Sequence, residues 1–285
     1  MQVKQAKPED LAEYVEMDLE TEYDYVADVF TDVAAKGHLY SATLGGRMVG
    51  VAMLRKVDPD HAYLGLARVD RRYRNQGVVS RLSEELIDRA RQQGLAWVGL
   101  CTNAENAPAR RVAEKLGLQI IGRHLSCNFH GPYSNNEHPL SPVRHKMSEQ
   151  EKTQRLAEAY EQTGVLPRSP YAMIPWPRAA MQLDYVKTLV PVELSCAGDR
   201  IKAFINTLAE PQLHLLLLKP AIQVSKRTLS ALAQLTHFEA THLEFPVQHE
   251  EDWRELPSLP AHWYVNRYVV YGIHLCGTGS QQDDT

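Results

Sequence analysis

The chain has 285 residues, 44% of them hydrophobic and 23% charged, with a formal net charge of -4. This composition excludes a disordered chain, and the slight acidity gives no electrostatic reason for general binding to nucleic acid. The length predicts two domains rather than one. The N-terminus lacks a signal-like apolar stretch and no run is long enough to span a bilayer, so the cytoplasm is the default compartment and no membrane partner is expected. Cys101, Cys127, Cys196 and Cys276 are scattered without a C-x-x-C pair, so no metal site is expected.

In chain order, "QVKQA" is a short alternating strand, and Pro8-Glu9-Asp10 opens an apolar-periodic helix with acids in its first turn. A second helix is expected near Tyr25 to Lys36. "HLYSATL" and "MVGVAMLRKV" flank a Gly-Gly turn, which predicts a hairpin because glycine supplies the positive φ angles that such turns require. "HAYLGLARV" is a third strand. It leads through a basic loop into "GVVSRLSEELIDRARQQG", where Val78, Leu82, Leu86 and Ile87 recur at helical spacing up to Gly94. "AWVGLCT" is a buried strand, "APARRVAEKLG" a short helix and "LQIIGRHLSC" a returning strand.

Residues 131–189 change character. Seven prolines interrupt them, from Pro132 to Pro177, around one polar helix at 148–163. After this linker the order of residues 38–127 begins again: a hairpin in "VELSCAGDRIKAFINTL", a strand "LHLLLLKPA", a helix "SKRTLSALAQL", a strand "THLEFPV", a short helix "EEDWREL" and a long strand "WYVNRYVVYGIHL". The expected division is therefore 1–130, a linker at 131–189, and a second unit at 190–285, related to the first by internal duplication.

The segment "VDRRYRNQGVVSRL", Val69 to Leu82, carries the chemistry. A phosphate-binding loop needs inward-turned amides, a glycine where a side chain would block the ligand, and a helix N-terminus facing the anion. Gly77 lies in the turn, Val78 starts the helix, and Arg68, Arg71, Arg72, Arg74 and Arg81 surround it with positive charge.

With a strand before this loop and a strand and short helix after it, the chain resembles the GCN5-related N-acetyltransferases (GNAT). Their signature Arg/Gln-x-x-Gly-x-Gly/Ala matches Arg74 and Gly77 and is departed from at Val79. "NAPARRVAEKLGL" resembles the family's later motif through Asn106, Ala109, Val112, Glu114, Lys115 and Gly117. The likeness covers residues 1–127. It implies an α+β GNAT fold, a mixed central sheet flanked by helices and splayed beside Val69, with acetyl-CoA as acyl donor. Leu66, Ala67, Arg68 and Val69 would bind the pantetheine arm through their backbone. Arg74, Asn75, Gln76, Gly77, Val78, Val79 and Ser80 would hold the pyrophosphate, with Asn106 and Ala109 also facing the cofactor.

The reaction so implied is direct attack of an amine on the thioester. The tyrosine that commonly protonates the departing thiolate falls at Ala113, and the glutamate base of some members has no counterpart in His61-Ala62-Tyr63-Leu64. His61 and Tyr63 are the candidate proton carriers, since His titrates near neutrality. Residues 8–35 hold ten Asp or Glu and no Lys or Arg. The resemblance places this stretch over the acceptor, with Glu20, Glu22, Tyr23 and Tyr25 as pocket residues for a small-molecule amine.

In the second unit "KPAIQVSKRTL" has no Arg-x-x-Gly, and Pro220 lacks an amide donor, so no coenzyme is expected there. This plan, an active first unit and a degenerate second, is similar to that of the histidine N-acetyltransferase group. The expected activity is transfer of an acyl group to the amine of a small molecule or amino acid. A non-catalytic acyl-CoA-binding module and a protein binding another anion are the alternatives.

Overall fold

The structure is a computed structural model and describes residues 1–21, 23–56, 59–129, 143–152, 154–155, 189–196, 199–206, 213–217, 241–247 and 263–275. The chain divides into two compact units: Met1–Leu100 with Ala107–Gln119 and Tyr271–Thr285, and Cys101–Asn106 with Ile120–Val270.

In the first unit β1 (Gln2–Gln5) is followed by a 3-10 turn (Pro8–Asp10) and a short α1 (Leu11–Val15). Proline pre-sets the first turn but has no amide to continue a ladder, which suits this opening. Helix α2 (Tyr25–Ala35) buries Val26, Phe30, Val33 and Ala34, one stripe at helical spacing. Phe30 meets the ring of Tyr14 at 5.0 Å, joining α2 to α1.

The expected hairpin is β2 (Leu39–Leu44) and β3 (Arg47–Lys56), turning through Gly45 and Gly46 at φ +59° and +78°. Two positive angles in succession are the primed turn that suits strand twist, and glycine adopts it without a Cβ clash. Met48 to Arg55 are all buried, so both faces of β3 are covered; α1 and α3 pack on it.

Strand β4 (His61–Val69) pairs antiparallel with β3, and β5 (Trp97–Asn103) pairs parallel with β4. The crossover between them is α3 (Val78–Gln92), which buries Val78, Leu82, Leu86, Ile87 and Ala90. Burying each of the three large residues Leu82, Leu86 and Ile87 contributes about 1.5–3 kcal/mol. Gly94, at φ +72°, stops the helix. Helix α4 (Ala107–Lys115) follows, with Gly117 ending its last turn at φ +78°. Residues 271–275 complete this unit: the amide of Leu275 donates to the carbonyl of Ala96 at 2.7 Å, and Trp97 meets His274 edge-on at 5.7 Å.

The second unit is built on β6 (Gln119–Phe129), β7 (Val143–Arg144), β8 (Leu189–Cys196), β9 (Asp199–Asn206), β10 (Leu213–Leu217), β11 (Thr241–Val247) and most of β12 (Trp263–His274). Its order is β6-β11-β10-β9-β8-β7. Strands β8, β9 and β10 pair antiparallel in sequence and β10 pairs parallel with β11, as β2, β3, β4 and β5 do in the first unit. Strand β6 supplies the antiparallel neighbour of β11. Val192, Ile201, Ala203, Phe204, Val269 and Val270 are buried in this unit.

Of the linker helix expected at 148–163, residues 149–152 and 154–155 are helical. Ser148 and Glu151 cap it reciprocally: the Ser148 amide donates to Glu151 Oε2 at 2.8 Å and the Glu151 amide to Ser148 Oγ at 3.2 Å. The expected helices "SKRTLSALAQL" and "EEDWREL" lie outside the described residues, as does "KPAIQVSKRTL" with Pro220. No helix among the described residues is long and apolar enough to cross a membrane, and no group of their His, Cys, Asp and Glu is placed to hold a metal ion.

Candidate functional site

Strand β4 prepares the site by breaking its own regularity. Pairing with β3 runs from Lys56↔Ala62 to Met53↔Gly65 and resumes at Val51↔Arg68, so β4 carries one extra residue between these points. This is a β-bulge, and Leu66 sits in it at φ +53°, a region unfavourable for a side chain bearing a Cβ. Gly65 makes room beside it. A Cβ there would lie 2.8 Å from Tyr63 Cε1, so the Tyr63 ring leans along the strand over Gly65 towards the bulge. On the other edge, pairing with β5 runs only from His61↔Trp97 to Leu64↔Leu100. Beyond Leu64, the edge of β4 that faced β5 has no strand partner among the described residues.

After Val69 the chain turns on Asp70, which is fully buried. Its carboxylate accepts from the Arg72 amide and from Arg72 Nε, both at 2.9 Å, and from the Asp18 amide at 3.4 Å. Arg72's hydrogen bonds draw the Asp70 pKa down to about 2. Asn75 and Gly77 then take positive φ, +60° and +77°, and α3 begins at Val78. Its first described helical bond is from the Arg81 amide to the Gly77 carbonyl, at 3.0 Å. The amides of Val78, Val79 and Ser80 therefore have no intrahelical acceptor, and no side chain caps this end. A Cβ built on Gly77 meets nothing within 4 Å. Open space, three amides and the positive end of a fifteen-residue helix meet at one point, an arrangement that suits a phosphate.

The arginines around this point are less available than their number suggests. Arg68 Nε binds Asp24 Oδ1 at 2.8 Å, and its guanidinium lies 5.0 Å from the Tyr25 ring centre. Asp24 also accepts from the buried phenol of Tyr14, whose pKa is raised by burial and by that carboxylate. Arg71 binds Asp18 at 3.1 Å and Glu20 at 3.3 Å, Arg72 binds Asp70, and Arg74 binds Glu20 at 2.7 Å. Arg81 is exposed and forms no ion pair among the described residues. Four of the five positive charges are thus matched by acids, three of which come from the acidic stretch that precedes α2.

The acceptor-side candidates distribute accordingly. Glu20 is held by Arg71 and Arg74, Tyr25 lies under Arg68, and the exposed Tyr23 donates to Asp28 Oδ2. Glu22 lies outside the described residues. His61 and Tyr63 share the half-exposed face of β4, two residues apart. Asn106 immediately precedes α4, its amide donating to the Asn103 carbonyl at 2.9 Å, and Ala109 lies in the first turn. Ala113 is fully buried.

Two buried phenols have no signal in the sequence. Tyr14 reads as one more apolar helix residue, yet it fastens Asp24. Tyr271 is fully buried, accepts from Arg110 Nε at 3.2 Å and donates to Glu114 Oε1 at 3.1 Å. Burial foremost raises its pKa.

The site thus combines a bulged strand, pairing between β4 and β5 that stops at Leu64, and an uncapped helix behind a glycine. Residues 4–118 match the model of the Acetyltransferase (GNAT) family. The GNAT family uses acetyl-CoA. Among solved structures the chain is similar to a Thermoplasma acidophilum protein designated an acetyltransferase by inference, at 14% identity and TM-score 0.57, covering 96% of this chain and 100% of that one. It is similar also to a GCN5-related N-acetyltransferase from Sphaerobacter thermophilus, at 13% identity and TM-score 0.52, covering 96% and 95%. A Pyrococcus horikoshii protein of the same designation as the first gives 11% identity and TM-score 0.56, covering 98% and 91%. These likenesses establish a GNAT fold, a mixed sheet flanked by helices.

Proposed function

We propose that this chain is an acetyl-CoA-dependent N-acetyltransferase that acylates the amine of a small molecule or amino acid. The observation that carries the reading is the start of α3, where no side chain caps the helix and a Cβ on Gly77 would meet nothing within 4 Å. Acetyl-CoA would supply the activated acyl group as a thioester. The amides of Val78, Val79 and Ser80 would hold its pyrophosphate, flanked by Arg74, Asn75 and Gln76. The free edge of β4, from Leu66 to Val69, would bind the pantetheine arm as another strand would, with Asn106 and Ala109 beside it.

Positioning and backbone donors then provide most of the catalysis, since a held amine and an oriented carbonyl need little side-chain chemistry. His61 and Tyr63 are the proposed carriers of the amine's proton. Tyr23, Tyr25, Glu20 and Glu22 are the proposed acceptor-side residues. We also read residues 190–285 as a degenerate second unit of the same plan that binds no coenzyme, an arrangement similar to the histidine N-acetyltransferase group. The shared pairing sequence of β2–β5 and β8–β11 supports this reading.

The buried Ala113 favours one rival, an acyl-CoA-binding module without turnover, because alanine has no proton for a departing thiolate. Calorimetry with acetyl-CoA and thiol release across a panel of amines and amino acids decide between them. The enzyme reading expects binding and release of free thiol with at least one acceptor. Binding without thiol release from any acceptor leaves the binding module, and absence of binding removes both.

A further inference from the structure

The loop's paired arginines fall into two kinds when sorted by the acid each one holds. Asp24 and Asp70, the partners of Arg68 and Arg72, have side chains only 10% and 1% exposed. Asp18 and Glu20, the partners of Arg71 and Arg74, are 41% and 53% exposed. Buried carboxylates lose heavily if their partner leaves, whereas exposed pairs are weak and exchange readily with other ions. Arg68 and Arg72 are therefore fixed parts of the fold. Arg71 and Arg74 are held provisionally.

We propose that Glu20 occupies, in the cofactor-free protein, the anion position that the phosphates of coenzyme A take over, so that loading the donor releases the segment around it. This rests on the coenzyme reading above. The geometry is that of an anion site already filled: the two carboxylate oxygens are shared between Arg71 Nη1 at 3.3 Å and Arg74 Nη1 at 2.7 Å. A phosphate offers the same two guanidinium groups more oxygens and more charge. Arg74 is also the first residue of the loop motif, three before Gly77.

The segment is also under tension. Glu20 sits at φ +57°, a conformation costly for any residue with a Cβ, and it gains by leaving once its ion pairs are replaced. Its neighbours set where the movement stops. Arg74 Nη2 donates to the Leu19 carbonyl at 2.8 Å, a hydrogen bond that breaks when the guanidinium turns to a phosphate. Asp18 is tied down independently, its carbonyl accepting from the Arg71 amide at 2.7 Å and its amide donating to the buried Asp70. Asp18 is thus the hinge, and Leu19, Glu20 and Thr21 the part set free. That part leads into Tyr23 and Tyr25, the proposed acceptor-side residues.

The test uses the full-length chain and coenzyme A itself. By calorimetry, Glu20→Gln should bind coenzyme A about two- to fivefold more tightly than wild type, the size of an exposed ion pair no longer needing to be broken. In wild type, hydrogen exchange at residues 19–21 should quicken on adding coenzyme A while Val78 to Ser80 become protected. Thermal melting of the variant should stay close to wild type, because the residue is exposed. Equal or weaker binding by Glu20→Gln, or protection of residues 19–21, overturns the inference while leaving the coenzyme site standing. Failure of both proteins to bind coenzyme A overturns the coenzyme reading and this inference with it.

Discussion

Gly77 and Gly94 bracket α3 in nearly the same backbone conformation, φ +77° and +72°, and a Cβ added at either meets no atom within 4 Å. Alanine at either position should therefore cost only the left-handed backbone penalty, about 1 kcal/mol, with no steric term from the protein. For a protein of this size that lowers Tm by about 2–4 °C. The two methyl groups differ in what they approach. The one at 77 enters the space before the uncapped amides of Val78 to Ser80, and the one at 94 enters solvent beyond the last turn. Gly77→Ala should thus lose about tenfold or more in affinity for coenzyme A, a difference of roughly 1.4 kcal/mol, while Gly94→Ala binds as wild type does. Differential scanning fluorimetry and calorimetry on both variants read the two effects separately. Equal coenzyme affinity in the two variants would show that the start of α3 holds no phosphate.

Asp70 should make stability depend on pH at the acid end. Its folded pKa, about 2, lies below the ordinary value of 3.8, so its contribution is complete above pH ~4 and is lost as pH falls towards 2. Because Arg72 is half-exposed, we expect about 1–2 kcal/mol, seen as a gap between the urea midpoints of wild type and Asp70→Asn at pH 6 that closes by pH 2. Gly50→Ala would put a Cβ 2.9 Å from the Arg68 carbonyl and 3.2 Å from Val78 Cγ1. It should destabilise by about 1–3 kcal/mol in chemical denaturation and weaken coenzyme binding by displacing the start of α3. Val79→Ala restores the family's small residue and should tighten coenzyme A binding without loss of Tm, as measured by calorimetry.

Much of the first unit was legible because local chemistry decided it. Gly45-Gly46 dictates the β2–β3 turn, the spacing of Val78, Leu82, Leu86 and Ile87 dictates α3, and Gly77 and Gly94 mark its ends. The first helix was less legible: Pro8 starts a 3-10 turn, and α1 ends at Val15, within the acidic stretch. The bulge at Leu66 could not be read, since a leucine at positive φ is held there by pairing on β3 and not by its own preference. Nor could the partners of the arginines. Ten acids in residues 8–35 and five arginines in 68–81 are plain in the sequence, but not which acid meets which arginine. Tertiary folding brings Asp18, Glu20 and Asp24 onto Arg71, Arg74 and Arg68, and neutralisation within the loop is their first effect.

The closing residues of the first unit bear on how the protein is made. Ala96 receives its hydrogen bond from Leu275, and α4 packs its Arg110 and Glu114 against the phenol of Tyr271. On a ribosome that adds residues one after another, the strand that leads into the loop before α3 emerges long before the residues that finish its unit. Interactions so distant in sequence form slowly, and a sheet edge that waits for its partner can pair with another chain. A nascent chain halted between residues 130 and 260 would display that unfinished edge, making synthesis rate and chaperone supply a determinant of folded yield.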